Sequence, residues 1–480
     1  MNSGKKENTM EEKYQLIVIG AGPGGYEAAI RAAQLGIKTA LVEENELGGT
    51  CLNRGCIPTK TLLHSSNLYY ESNNFKELGL KIDGISYDLG RLYERKNEVV
   101  EKIQSGIGAL LKANKIDVYY GRGVIEGPGK VKLFLKESEE VRLLEADNLL
   151  LATGSKPLVP NIPGIDLDYV MTSDDLLAGK KDFNKLIIVG GGVIGCEFAT
   201  IFTQLGMEVE IVEAADRILP SLDKEISQSA AMNLKKKGAI IHTKSKLERI
   251  EKDEEHGRTL KLTVSAADKI KELTADAVLI CIGRKANVDN LLSAGVTLEC
   301  EKGWIKTDER FMTNISGIYA VGDVTGGIQL AHNASAQGIT VAELIAGSEP
   351  TINRKSIPSC VYMNPEIASV GLTEEDAKKS EIDFVTGKYP MSGNCKTLLS
   401  MDERSYIKVI AEKESGKLLG AQIICARATD MIGEFSLAIA NGLTAEEMHT
   451  AVRPHPTYEE GITEALADTL TGAIHLMPRK

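Results

Sequence analysis

The apolar positions of this chain fall into short runs, and several of those runs end abruptly in glycine. Leu16–Ile19 is the first, and it leads into GAGPGG, where Gly20, Gly22 and Gly25 have GxGxxG spacing. Apolar residues at Ala28, Ala29, Ala32 and Leu35 then predict a helix that stops at Gly36. A second strand is predicted over Thr39–Val42, ending at Glu43. Strand, glycine turn, helix and strand, with an acid about 20 residues after the first glycine, is the order of a dinucleotide-binding unit.

The same unit recurs. Leu186–Val189 leads into GGGVIG, with Gly190, Gly192 and Gly195. A helix through Phe198, Ala199, Ile201, Phe202 and Leu205 stops at Gly206, and the strand Val209–Val212 ends at Glu213. Glu43 and Glu213 each follow the first glycine of their motif by 23 residues. One glycine motif fits a ligand-free turn as well as a binding site, whereas repetition of the entire unit favours binding. The first glycine makes the tight turn, the second lets the backbone approach a pyrophosphate, and the third lets helix pack on strand. Glu43 and Glu213 stand where a carboxylate accepts hydrogen bonds from a ribose, and a carboxylate at Glu213 repels a 2′-phosphate, favouring NAD over NADP. Arg217 is close in sequence but four residues beyond, so it weakens this only slightly.

Three further runs end in glycine: Leu149–Ala152 before Thr153-Gly154, Val278–Ile282 before Gly283, and Ile318–Val321 before Gly322-Asp323. Ligands of open parallel sheets sit beyond the carboxyl ends of strands, so these glycines mark places where backbone approaches a cofactor. From about Thr351 the texture changes. Ile407–Ile410 and Leu418–Ile424 read as strands joined by the polar turn Glu412–Lys417, and helical patterns follow over Met431–Ala440 and Ala445–Val452. The predicted fold class is α/β: two Rossmann-like dinucleotide-binding domains and a C-terminal α+β domain.

The 480 residues fit three domains or two large ones. A net charge of -11 argues against nucleic acid as a partner. The N-terminal stretch MNSGKKENTMEEKYQ has no apolar core for a secretory signal and is too acidic for a transit peptide. No run is long enough to span a membrane, and the expected location is the cytoplasm. Eight cysteines in such a chain do not form a disulfide framework, and six of them are scattered.

Cys51 and Cys56, within GGTCLNRGCIPTK, are the exception. A lone Cys-x₄-Cys is poor zinc spacing, and no metal site is expected. Two buried thiols would be the ordinary reading. Their position just past the first dinucleotide unit, with Gly48-Gly49 and Gly55 permitting close packing, favours a redox pair. His455 lies in HPTYEE, where Thr457 and Glu460 fit a capping box. Two readings stand here. Either Glu460 caps a helix that His455 merely precedes, or His455 is a base for a dithiol.

GAGPGG, GGTCLNRGCIPTK, GGGVIG, AVGD and HPTYEE occur in this order across nearly the whole chain. In this it resembles the dihydrolipoamide dehydrogenases, a group of the flavin-dependent pyridine nucleotide–disulfide oxidoreductases. The resemblance implies an FAD-binding domain over 1–155 that resumes over 285–350, an NAD-binding domain over 156–284 and a dimerisation domain over 351–480. It assigns FAD to Gly20, Gly22, Gly25, Glu43, Lys60, Gly154, Asp323 and the helix start at Ala331, and NAD to Gly190, Gly192, Gly195, Glu213 and Gly283. Cys51 resembles the thiol that exchanges with substrate and Cys56 the thiol against the flavin. Lys60 and Glu197 resemble an ion pair beside flavin and nicotinamide. Read without the resemblance, Lys60 is an exposed helix lysine and Glu197 a helix residue with no partner. His455 and Glu460 resemble a base and its orienting carboxylate, supplied across a homodimer interface.

The implied activity is oxidation of dihydrolipoamide by NAD⁺, with a lipoyl-bearing protein of a 2-oxoacid dehydrogenase, acetoin or glycine-cleavage system as partner. Another disulfide reductase on the same scaffold, or a docking subunit of a multienzyme complex, are the alternatives. Two positions depart from the usual pattern: Arg453 replaces a common histidine, and Tyr362–Glu366 reads YMNPE.

Overall fold

The computed structural model describes residues 12–179, 181–253, 259–266, 269–401 and 405–477. The chain divides into two compact units. One comprises Met1–Pro58, Tyr93–Leu158 and Arg284–Ile352, and the other comprises Thr59–Leu92, Val159–Gly283 and Asn353–Lys480.

In the first unit, Glu12–Ile19 is flanked in parallel by Thr39–Glu43 and by Val141–Leu151. Asp117–Gly127 extends the sheet beyond Thr39–Glu43, and Ile318–Ala320 extends it beyond Val141–Leu151. Lys130–Leu135 pairs antiparallel with both Asp117–Gly127 and Val141–Leu151. Ile17, Leu41 and Leu149 are fully buried, as expected of parallel strands covered on both faces. The helix Pro23–Gln34 packs its Ala28, Ala29 and Ala32 face inward, and Gly24 meets Gly338 of the helix Ala331–Ile345 at backbone distance.

Besides the three-stranded sheet of Ser245–Lys252, Leu260–Ala266 and Lys269–Ala275, the described residues of the second unit form two five-stranded sheets. One is parallel, in the order Ile240–His242, Glu208–Val212, Lys185–Val189, Ala277–Ile280 and Val170–Thr172. Val193–Gln204 is its buried helix. The other is antiparallel and contains the hairpin Tyr406–Glu412 and Leu418–Ile424, flanked by Phe384–Pro390 and by Ile367–Gly371. Ala428–Ala440 and Glu460–Ala467 cover it, burying Ile432, Phe435, Ile462 and Leu466.

Several boundaries differ from expectation by a few residues, two of them with a clear local cause. The run Val278–Ile282 leaves the sheet after Ile280, because Cys281 and Ile282 turn into Gly283 at φ +130. The helix predicted over Ala445–Val452 ends at His449, and Val452 is exposed. Pro454 disfavours helical backbone at Arg453 and so limits the helix from beyond. Among the described residues no helix is long and apolar enough to cross a membrane.

Candidate active site

The two glycine turns have the same construction. A Cβ on Gly25 would lie 1.8 Å from the Gly20 carbonyl oxygen, and one on Gly195 would lie 2.0 Å from that of Gly190. Only a residue without a side chain permits that approach of helix to strand. The second glycines face space instead: a Cβ on Gly22 would meet only the Gly49 Cα, at 3.8 Å, and one on Gly192 would meet nothing within 4 Å. Gly22 and Gly192 are the N-caps of their helices, and neither helix has a side-chain cap. Each therefore presents uncapped backbone N–H groups beside open space, which suits a pyrophosphate.

The two glutamates repeat this likeness. Glu43 Oε2 accepts from the Ala21 N–H at 2.7 Å and Oε1 from the Asn45 N–H at 2.7 Å. Glu213 Oε2 accepts from the Gly191 N–H at 2.6 Å and Oε1 from the Ala215 N–H at 2.6 Å. Each carboxylate is thus held against its glycine turn, with lone pairs left for a ribose. Burial pushes the Glu43 carboxyl up, against the lowering effect of its two backbone donors.

The cysteine segment is docked on the first turn. The Gly48 N–H donates to the Ala21 carbonyl at 2.8 Å, and Gly49 meets Gly22 so closely that a Cβ there would lie 2.6 Å from the Gly22 Cα. Gly48 and Gly49 have φ +95 and +61, which lets the chain turn at that contact into the helix Gly49–Arg54. Cys51 lies in that helix, and Cys56 opens the next, Cys56–Glu71. Both cysteines are half-buried, and Gly55 between the helices leaves no room for a side chain against the Thr50 carbonyl.

Elsewhere in the same unit, Asp323 Oδ2 accepts from the Ser155 hydroxyl at 2.6 Å, and Ser155 Oγ accepts from Arg284 Nε at 2.7 Å. Gly154 takes φ +69 with open space where a side chain would stand. The helix that starts at Ala331 has Leu330 as N-cap, with no side-chain cap.

In the second unit Lys60 Nζ donates to both Glu197 oxygens, at 2.8 and 2.7 Å. Glu197 is only 3% exposed, so the pair satisfies a charge that burial would otherwise penalise. Two features absent from the sequence reading hold the pair. The Tyr362 N–H donates to Glu197 Oε1 at 3.0 Å, and Lys60 Nζ stands 4.7 Å from the Tyr362 ring centre. Ser66 and Asn67, farther along the helix of Lys60, both bond Gln204 of the Glu197 helix.

His455 Nδ1 bonds Glu460 Oε1 at 2.8 Å, while Glu460 Oε2 accepts from the Thr457 N–H at 2.9 Å. Glu460 thus holds the imidazole with one oxygen and the Thr457 backbone with the other. The expected capping box does not form: the helix starts at Glu460 itself, with Glu459 as N-cap and no side-chain cap, and the Thr457 hydroxyl donates to the Pro454 carbonyl. Burial raises the Glu460 carboxyl, but the Thr457 and His455 bonds outweigh it and hold it below the usual glutamate range. His455 itself is exposed, with 66% of its side-chain surface accessible. Arg453 is turned inward, with 5% of its side chain accessible, and it pairs with Glu434 and donates to Thr463 Oγ1 at 3.0 Å. No local sequence signal marked Glu434 or Thr463 as its partners.

Residues 14–338 match the family model described as pyridine nucleotide-disulphide oxidoreductase, and residues 357–466 match the dimerisation domain of the same family. A dihydrolipoyl dehydrogenase of Bacillus subtilis is 39% identical over 97% of this chain and 100% of its own. The mitochondrial dihydrolipoyl dehydrogenase of Pisum sativum is 36% identical over 99% of this chain and 94% of its own. The solved structure of the HOCl-induced flavoprotein disulfide reductase RclA from Escherichia coli superposes with a TM-score of 0.81 at 30% identity, covering 94% of this chain and 99% of RclA. A thiol pair seated on one of two duplicated dinucleotide turns, followed by a sheet-and-helix domain, is matched here along the full length by relatives of one kind: the chain belongs to the pyridine nucleotide-disulphide oxidoreductase family.

Proposed function

We propose that this protein is an FAD-dependent dihydrolipoyl dehydrogenase that oxidises dihydrolipoamide and delivers the electrons to NAD⁺. The observation that carries the proposal is the cysteine segment docked on the first dinucleotide turn through Gly48 and Gly49. The full-length similarity to dihydrolipoyl dehydrogenases narrows the substrate.

FAD is assigned to the domain formed by residues 1–155 and 285–350. There the Gly20–Gly25 turn receives the pyrophosphate, Glu43 the adenosine ribose and Asp323 the ribityl chain. NAD⁺ is assigned to residues 156–284, on the Gly190–Gly195 turn, with Glu213 at its ribose and Gly283 at the strand end. Lys60 and Glu197 serve the flavin and nicotinamide rings. Residues 351–480 form the dimerisation domain of a homodimer, in which His455 serves the cysteines of the other subunit.

The starting state is a Cys51–Cys56 disulfide. His455 takes the proton from one thiol of dihydrolipoamide, and Glu460 offsets the charge that the imidazole gains. The substrate thiolate attacks Cys51 Sγ, breaking the Cys51–Cys56 bond and releasing Cys56 as a thiolate. The second substrate thiol, losing its proton, attacks the sulfur bonded to Cys51. Lipoamide leaves as a disulfide, and the enzyme retains the electron pair and one proton on Cys51. A bound FAD, held by the Gly20–Gly25 turn, Glu43 and Asp323, would supply the redox chemistry that links this dithiol to NAD⁺.

A second reading is a flavoprotein disulfide reductase acting on another substrate, and the likeness to RclA favours it. The assay that separates them measures NADH formation from dihydrolipoamide and NAD⁺, run beside NADPH oxidation with glutathione disulfide. Turnover in the first assay and not the second is expected. Absence of NADH formation by the flavin-loaded protein would overturn the proposal. The lipoyl-bearing partner is tested by the same assay with a lipoylated carrier domain, which should give a lower KM than free dihydrolipoamide.

A further inference from the structure

The loop that follows Glu213 contains a cation that could oppose the selectivity of that glutamate. Leu219 closes the loop onto the second turn, its N–H donating to the Gly191 carbonyl at 2.7 Å, and Ile218 packs against Gly191. Arg217 precedes these two anchors, so its backbone is fixed beside the turn that carries Glu213. An arginine there is well suited to pair with a 2′-phosphate.

Its side chain is engaged elsewhere. Arg217 Nη2 bonds Glu375 Oε2 at 2.9 Å, and Glu375 belongs to the helix Glu374–Lys379, on the antiparallel-sheet side of the second unit. Arg217 Nη2 also lies 3.5 Å from the Pro220 carbonyl, at the limit of a hydrogen bond. The Arg217 Nε–H is buried with no hydrogen-bond partner. The guanidinium therefore makes one good bond and leaves one donor unsatisfied. A head held by its best available partner alone would gain from a second oxyanion.

We propose that Glu375 is a specificity-determining residue that tethers Arg217 and keeps it from serving a 2′-phosphate. This deepens the NAD assignment and rests on it. Two carboxylates then select the cofactor by different means: Glu213 repels the phosphate directly, and Glu375 neutralises a nearby cation that would attract it. The Arg217 and Glu375 side chains are 23% and 40% exposed, so the pair contributes little to stability and can be removed with the fold intact.

The test uses flavin-loaded wild type, Glu375→Gln and the double variant Glu375→Gln/Arg217→Met. Two quantities are measured: kcat/KM for NADPH relative to NADH in dye reduction, and calorimetric affinity for adenosine 2′,5′-bisphosphate relative to AMP. Glu375→Gln should raise both ratios about tenfold, through KM rather than kcat, with NADH kinetics unchanged. The double variant should return both to the wild-type value. Unmoved ratios in Glu375→Gln, or a gain that survives loss of Arg217, would overturn the tether. Equal use of NADH and NADPH by the wild type would instead overturn the NAD assignment, before any variant is read.

Discussion

The two dinucleotide turns have one skeleton and opposite uses of the same loop. Each glutamate is bonded to the residue after the first glycine and to the residue two places after itself. Each following loop then returns to its turn through one backbone bond, from Gly48 to Ala21 and from Leu219 to Gly191. The residues at that return decide the difference. Gly48-Gly49 lets a helix bearing Cys51 lie against the first turn. Ile218-Leu219 fills the equivalent contact with side chains, and the chain goes on to Asp223, which caps the helix Lys224–Lys236. A duplicated scaffold thus holds thiols at one turn and, in the proposed function, cofactor selection at the other.

The largest effect should come from breaking the thiol half. Cys51→Ser or Cys56→Ser should lower dihydrolipoamide oxidation by at least about 10³-fold, because neither serine can form the exchanging disulfide. NADH-dependent dye reduction needs only the second turn and the flavin, so it should persist. Equal loss of both activities, with FAD retained, would show that the two turns do not divide the work in this way.

His455 sharpens the same division. His455→Gln should cost dihydrolipoamide oxidation about 10²–10⁴-fold, the usual worth of a positioned base, and leave dye reduction in place. Glu460→Gln should show a smaller loss, since a glutamine oxygen can still accept from the Thr457 N–H while losing the charge facing the imidazole. Stopped-flow measurement of the two half-reactions checks both. If the reductive half-reaction is unaffected in His455→Gln, His455 serves only the turn that precedes the helix Glu460–Ala467.

These residues also show what the sequence could reveal. Both βαβ units were legible because glycine spacing and solid apolar runs are local signals. The three-stranded sheet Ser245–Lys252, Leu260–Ala266 and Lys269–Ala275 was not read, since its strands alternate and KIKELTA is mostly exposed. The T-x-x-E spacing at Thr457 and Glu460 suggested a capping box, yet the helix starts only at Glu460, so the spacing alone misplaced its N-cap. Lys408 is the sharpest case. It lies inside the apolar run Ile407–Ile410 and is 1% exposed, with Asp223, Glu225 and Glu374 around its ammonium at 2.9 to 3.0 Å. Asp223 is 185 residues away in sequence, so no local pattern could pair them.

That cluster anchors the exit of the second loop, and the first loop has no equivalent among the described residues. Those carboxylates outweigh the cost of burial and push the Lys408 ammonium up to about 12. Its contribution is therefore fully present below the ordinary lysine value near 10.5 and fades only as pH rises through about 12. Lys408→Met should destabilise the flavin-loaded protein by about 3–5 kcal/mol at neutral pH, because Asp223 is left buried without its cation. Lys388→Met removes a more exposed partner of Glu225 and should cost under about 1 kcal/mol. Thermal unfolding of the two variants side by side checks the contrast, and equal losses would mean that burial of the cluster is not what matters.

The smallest effect concerns Glu43. Its burial raises the carboxyl against two backbone donors, so the folded state holds this proton more tightly than the unfolded chain does. The sign follows directly: the stabilising contribution of protonation is complete below the unfolded value near 4.5 and is lost as pH rises through the folded value. The Ala21 and Asn45 N–H groups both donate to this carboxyl, and in the proposed complex a ribose does so as well. Glu43→Gln removes the titration and offers an amide oxygen to only one of the two donors. Relative to this variant, the wild type should gain stability as pH falls through the raised folded value toward the unfolded value near 4.5, by no more than about 1.4 kcal/mol per pH unit for a single proton. Calorimetric melting of both flavin-loaded proteins across that range gives the slope of the difference. A slope of the opposite sign would mean that the two backbone bonds, rather than burial, govern Glu43, and no slope would mean that the first turn holds its glutamate as an ordinary solvated acid.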